Sequence, residues 1–273
     1  MADRLQPDRR VFYAGTRQGT PLLDRIRPVR DAGFTAMSVW PGDVKGVDRC
    51  ELRAALDAAG MVLTDLELIG NWLPGHQHSS GAFAQIVRPT TAQKLLPLAA
   101  ELGISTVSVV ELLGLDWDGQ VMGKAFAQLC DQAADHGVRL AIEFVPTGAI
   151  ADFARALELV ERADRSNGGI MVDSWHFFRS GSSLSQLAQC PGDRIFSIQL
   201  NDAKATAEVD LNVGMMHRLL PGEGELDLPG LISALAATGT IAPTGIETFS
   251  ARLDAMDMRE AAQECATSLE HYL

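Results

Sequence analysis

Short apolar, β-branched runs alternate along the chain with longer segments of helical period, the pattern of successive βα units around a parallel sheet. Eight strand segments end near Thr16 (VFYAGT), Trp40 (AMSVW), Ile69 (MVLTDLELI), Glu111 (STVSVVE), Val145 (RLAIEFV), Ser174 (GIMVDS), Asp202 (IFSIQLND) and Phe249 (TGIETF). Most follow one another at about thirty residues, as a βα unit requires. Between them, residues 95–103, the stretch from Gln120 to Gly137, and residues 153–164 place apolar side chains on one helical face. Gly33, Gly60, Gly103 and Gly137 stand where helices should stop. From Met258 to Tyr272 the spacing of Met258, Ala261, Ala262, Cys265, Leu269 and Tyr272 predicts a closing amphipathic helix.

The expected fold is therefore α/β, a single (β/α)8 TIM barrel occupying residues 1–273 as one domain, because no linker, charge block or low-complexity tract interrupts the series. Two connections exceed a minimal βα loop, residues 70–90 and 203–228. Both follow strands on the C-terminal face, where barrels place their chemistry.

Composition narrows the partners. Lys and Arg number 23 against 35 Asp and Glu, a net charge of −12 that repels a phosphate backbone and anionic lipid. Neither nucleic acid nor a membrane is expected as a partner. The first residues, MADRLQPDRR, are polar and no long apolar run follows, so no leader or membrane segment is expected and the location reads as cytoplasmic. Cys50, Cys130, Cys190 and Cys265 lie far apart without a CxxC pair, which argues against thiolate zinc and for reduced thiols.

Three acids break apolar strands near their ends: Glu143 in LAIEFV, Asp173 in IMVDSW and Glu247 in TGIETF. Each alone could cap a helix or pair with a basic side chain at the rim. Their recurrence in separate βα units points to one shared cation, because a buried carboxylate needs a counter-charge, hydrogen bonds or a shifted pKa. Gln199 holds the corresponding place on the seventh strand and offers a neutral oxygen. Such a donor set suits one divalent metal, Mn2+ or Mg2+, with Co2+ and Zn2+ left open.

His176, three residues past Asp173, could reach a substrate oxygen or the metal, or pack as a core histidine, and Arg218, in the Gly-rich HRLLPGEGELDL loop, could clamp a substrate oxygen or stay solvated; Glu111 at its strand end could bind hydroxyls, and Trp40 could form a pocket wall or pack. The His76 and His78 pair reads as a solvated loop. Gly222 and Gly224 lack a phosphate-binding fingerprint, so no nucleotide cofactor is expected.

At these residues the chain resembles the sugar isomerase/epimerase superfamily of xylose isomerase-like barrels, which includes ketose 3-epimerases, inosose dehydratases and divergent AP endonucleases. The likeness rests on the Glu143 strand, VDSWH at 172–176, QLND at 199–202, RLLPGEGELDL at 218–228 and IETF at 246–249. It implies Glu143, Asp173, Gln199 and Glu247 as metal ligands, with Gln199 where a His is frequent in the family. It also implies His176 and Arg218 as substrate-binding residues.

On that resemblance, a metal polarises a carbonyl, Glu143 or Glu247 removes the adjacent C–H proton, and an enediolate results. Reprotonation gives epimerisation or isomerisation of a sugar-like keto-polyol; loss of a β-hydroxyl gives a lyase acting on an inosose or a dehydroshikimate-like ketone. The partner is then a small polyhydroxylated molecule. A homodimer or homotetramer is compatible, since such barrels often pair through the loop face. A trinuclear-zinc nuclease would need more clustered histidines and a basic face, and a noncatalytic sugar-binding barrel is the remaining alternative.

Overall fold

The structure, a computed structural model, describes residues 4–75 and 82–273. His76 and His78 lie outside the described residues. Eight parallel strands close in chain order: β1 (Arg10–Phe12), β2 (Ala36–Val39), β3 (Val62–Ile69), β4 (Thr106–Val109), β5 (Arg139–Glu143), β6 (Gly168–Asp173), β7 (Ile195–Leu200) and β8 (Thr244–Ile246). This is the expected (β/α)8 barrel.

Aspartates start several of the intervening helices. Asp48, Asp118, Asp152 and Asp257 accept hydrogen bonds from backbone N–H groups two or three residues on, filling donors that a helix start leaves unpaired. The helices Arg49–Ala59 and Ala92–Leu102 stop at Gly60 and Gly103, whose φ of 61° and 69° are left-handed and favour a residue without Cβ. The final helix, Met258–Leu269, runs beside Leu22–Asp31, and Arg259 reaches Asp31 at 2.7 Å. No helix among the described residues is long and apolar enough to cross a membrane.

Strands alternate between two apolar zones. One set, including Phe12, Met37, Leu140, Ile142 and Val172, packs against the helices, while Val11, Tyr13, Ala36, Ala141, Met171 and Phe196 form a separate cluster inside the barrel. Closure depends on Gly245: a Cβ there would lie 1.7 Å from the carbonyl oxygen of Val11, so only glycine lets β8 approach β1 this closely.

Several strands end earlier than their apolar runs predict: Thr16, Glu111, Val145, Asp202 and Phe249 fall two to four residues beyond β1, β4, β5, β7 and β8. Around β1 and β8 side chains replace the ladder. Ser38 Oγ accepts from Ala14 N at 2.8 Å, and Thr16 Oγ1 donates to Ile246 O at 2.8 Å. The barrel mouth is thereby laced by side chains at the ends of its strands.

Candidate functional site

The mouth collects the predicted acids. Glu143 and Asp173 are the last residues of β5 and β6, Gln199 pairs in register with Asp173, and Glu247 follows β8 directly; all four are buried. Asp173 also starts the short helix Ser174–Arg179, its Oδ1 accepting from His176 N at 2.8 Å. Its Oδ2 accepts from Asn201 Nδ2 at 2.7 Å and from Arg218 Nη1 at 2.8 Å. The same Nη1 lies 3.3 Å from Glu247 Oε2, so one guanidinium bridges two strand ends.

Aromatic faces and a histidine fix that guanidinium. Its carbon stands 5.6 Å from the Trp175 ring centroid and 5.1 Å from that of Phe249. His176 Nε2 lies 3.3 Å from Arg218 Nη2 and 3.6 Å from Glu143 Oε1. A guanidinium only donates, so Nε2 accepts and the ring proton belongs on Nδ1, which has no partner among the described residues. Burial pushes His176 down to about 4, with Arg218 acting in the same direction against Asp173, so the ring is neutral at neutral pH.

The glutamates move the other way. Burial raises Glu143 well above the ordinary carboxylate range, and the charges of Glu247 and Asp173 raise it further. Burial also lifts Glu247 to about 7, opposed chiefly by Arg218.

Three further acids, to which sequence reasoning assigned no task, line the site or brace it. Asp65 and Glu67 alternate on β3 and both are buried. Asp65 accepts from Ser197 Oγ on β7, and burial raises it to about 6. Glu67 accepts from Trp40 Nε1 at 3.3 Å, and burial, followed by the charge of Glu247, raises it well above the ordinary carboxylate range. Two acids interrupting MVLTDLELI carry the same signal that singled out Glu143, so this pair was detectable. Asp202 is different: Oδ1 accepts from Ala203 N and Leu226 N, and Oδ2 from Gly222 N and Gly224 N, each at 2.8–3.0 Å. It clasps the PGEG loop that follows Arg218.

Glu111 Oε1 accepts from Leu113 N at 2.7 Å and its Oε2 from Ala149 N at 2.5 Å, so the carboxylate ties two loops together. Trp40 stacks on Phe249, with ring centroids 6.3 Å and planes 17° apart.

Whether the donors suit a metal can be judged from their chemistry. Gln199 Oε1 and Nε2 are both buried without a partner among the described residues, a costly state that a cation on the oxygen would relieve. Asp173 and Glu247 bond the cation Arg218, whose charge also acts on Glu143. The set is hard, oxygen-rich and negative, and it fits a divalent ion. Among the described residues, however, no three His, Cys, Asp or Glu side chains close to common ligating distance; Asp173 and Glu247 close on Arg218.

Comparison with known proteins bears on the family and the fold. The family described as xylose isomerase-like TIM barrel matches residues 26–271. A 3-dehydroshikimate dehydratase of Pseudomonas aeruginosa is 30% identical over 181 residues, covering 65% of this chain and 28% of that protein. An inosose isomerase of Bacillus subtilis is 33% identical over 141 residues, covering 50% of this chain and 49% of that protein. The matches thus span half or less of the length of these curated relatives. A crystal structure described as IOLI protein with a binding zinc atom superposes with a TM-score of 0.84 at 21% identity, covering 97% of this chain and 99% of that one. The closed eight-stranded barrel and the match over most of its length place the chain in the xylose isomerase-like TIM barrel family.

Proposed function

We propose that the chain is an acid/base enzyme that isomerises or epimerises a sugar or sugar-like polyhydroxylated ketone. The observation that carries this reading is the pair Glu143 and Glu247: two buried glutamates at strand ends, both raised by burial, with Glu247 raising Glu143 further. Carboxyl groups held above their ordinary range exchange protons near neutral pH, which is what general acid/base work requires.

One glutamate takes the proton from the carbon beside the substrate carbonyl. The C–H electron pair becomes the new C=C bond, and the carbonyl oxygen takes up the negative charge of the enediolate. The other glutamate returns a proton to the same carbon from the opposite face, giving the epimer, or to the neighbouring carbon while the hydroxyl proton passes to the former carbonyl oxygen, giving the isomer. Arg218 holds a substrate oxygen through N–H groups at the mouth, with His176 fixing the guanidinium from behind. Trp40 and Phe249 offer flat faces to the C–H side of a sugar.

A divalent metal, Mn2+ or Mg2+ by donor type, would be held by Glu143, Asp173, Gln199 and Glu247 and would supply Lewis-acid polarisation of the substrate. We place the activity in the cytoplasm, the compartment suited to four free thiols.

A second reading, dehydration of a cyclic ketone, is supported by the 3-dehydroshikimate dehydratase match. It shares the first proton abstraction and differs in expelling a β-hydroxyl. The test is a panel of ketoses, inososes and dehydroshikimate in deuterated water with added manganese or magnesium, with and without chelator. Deuterium at carbon without water loss supports the isomerase or epimerase; a new conjugated chromophore supports the lyase. Neither result with any substrate overturns both readings.

A further inference from the structure

The QLND segment that ends β7 contains a residue to which the proposed chemistry gives no part. Asn201 directly follows the last residue of that strand, is fully buried, and is bonded through its side chain on three sides. Its Nδ2 donates to Asp173 Oδ2 at 2.7 Å and to the backbone carbonyl of Glu247 at 3.0 Å, while Ser174 Oγ stands 2.9 Å from its Oδ1. A carboxylate and a carbonyl accept and do not donate, so the amide must turn its NH2 toward them and its oxygen toward the serine hydroxyl. Both N–H groups then meet an acceptor, and the amide is fully used.

Three strand ends therefore converge on one side chain. Ser174 follows β6, Asn201 follows β7 and Glu247 follows β8. The backbone reinforces the clamp: Ser174 Oγ accepts from Asn201 N at 2.8 Å and lies 2.8 Å from Asn201 O, and Glu247 N donates to Leu200 O at 3.1 Å. Asp173 Oδ2 has a second side-chain donor in Arg218 Nη1 at 2.8 Å. That guanidinium arrives on a long side chain from the loop at 203–228, whereas the Asn201 side chain is short and bonded at both ends of its amide. Of the two donors, Asn201 is the one that the barrel itself holds still.

We infer that Asn201 is a positioning residue: by bonding the Asp173 carboxylate and the Glu247 backbone through one NH2 group, it sets the spacing and direction of two of the four side chains that would hold the metal. The inference rests on the reading of Asp173 and Glu247 as ligands, and its kinetic part on Glu247 as an acid/base group. A ligating carboxylate is oriented by the hydrogen bonds it accepts, and removing such a partner costs about 10–100-fold in metal affinity or activity.

The test uses Asn201→Leu, which keeps the size of the side chain and removes all of its hydrogen bonds. Calorimetric manganese affinity, measured without substrate, should fall about 10–100-fold in N201L. On a substrate that wild type converts, at saturating manganese, kcat should fall about 10-fold or more with KM within about threefold. In wild type the side-chain amide resonances of Asn201, assigned through its own Cβ, should move as magnesium is titrated in, because the carboxylate they bond would gain a new partner.

Manganese affinity within about threefold of wild type in a folded N201L, or amide resonances unmoved at saturating magnesium, would each overturn the inference and leave Asn201 as scaffold alone. Should N201L not fold, Asn201→Ala removes the same donor without filling its space and must show the same loss of affinity. If wild type binds manganese but turns over nothing in the panel, the acid/base reading fails, while the affinities and the resonances still decide the role of Asn201. If wild type binds neither metal, the inference fails whatever the panel shows.

Discussion

Two regions of the barrel rim bury carboxylates, and they bond them in opposite ways. In the loop-clasping region, Asp202 accepts from four backbone amides and Glu111 from two, all from chain segments that would otherwise have to find other partners. In the mouth, Glu67, Glu143 and Glu247 meet an indole, a histidine, a guanidinium and each other. Amides donate to a carboxylate permanently and stabilise its charge, so the first kind is scaffold. Acids raised by burial and by like charge are poised to gain and lose protons, so the second kind is suited to chemistry. Depth of burial does not separate the two; the identity of the donors does.

That contrast is open to direct attack. The largest effect is expected for Glu143→Gln and Glu247→Gln, each lowering turnover by on the order of 100- to 10,000-fold. Because a neutral amide removes the cost of burying charge, chemical denaturation of both variants should show stability equal to or above wild type. Asp202→Ala should do the reverse, losing about 3 kcal/mol or more of stability as four amides go unpaired. Turnover would fall with it only as far as the Arg218 loop is displaced.

Asp65→Asn probes pH. Burial raises Asp65 to about 6, above the value expected in the unfolded chain. The stability it contributes is therefore full below about pH 4 and is lost as pH rises through 6. Wild type should lose on the order of 2–3 kcal/mol across that window from this group, and D65N should flatten the decline in urea titrations run at several pH values. The smallest effect on turnover is expected for Glu111→Gln, whose single oxygen keeps one of the two amide bonds and leaves the other amide facing an NH2: about 1–3 kcal/mol of stability, with kcat within about threefold of wild type. A large loss of kcat at unchanged stability would make Glu111 a substrate ligand.

Much of the architecture was legible because parallel barrel strands are continuous apolar runs, and an acid inside one stands out. Glu143, Asp173 and Glu247 were found that way and do meet at one mouth. Asp65 and Glu67 carried the same signal within MVLTDLELI, but alternation on a strand of eight residues also describes an ordinary half-exposed edge. The partners of Glu111 were not legible for a geometric reason: a strand-end position fixes where a side chain starts, whereas Leu113 and Ala149 come from loops whose paths no periodicity encodes. Asp202 and Asn201 were visible in QLND but without a task, since all but one of the partners named for them, Ala203, lie 20 residues or more away along the chain. The guanidinium of Arg218 between Asp173 and Glu247 was equally out of reach, for the same reason.

The central claim is that Glu143 and Glu247 move protons at a substrate carbon. It is tested most directly by following C–H exchange by NMR in deuterated water for a ketose or inosose that wild type converts. Wild type should incorporate deuterium at the carbon beside the carbonyl, and E143Q and E247Q, folded and as stable as wild type, should each suppress that exchange. Wild-type exchange rates in both variants would contradict the claim.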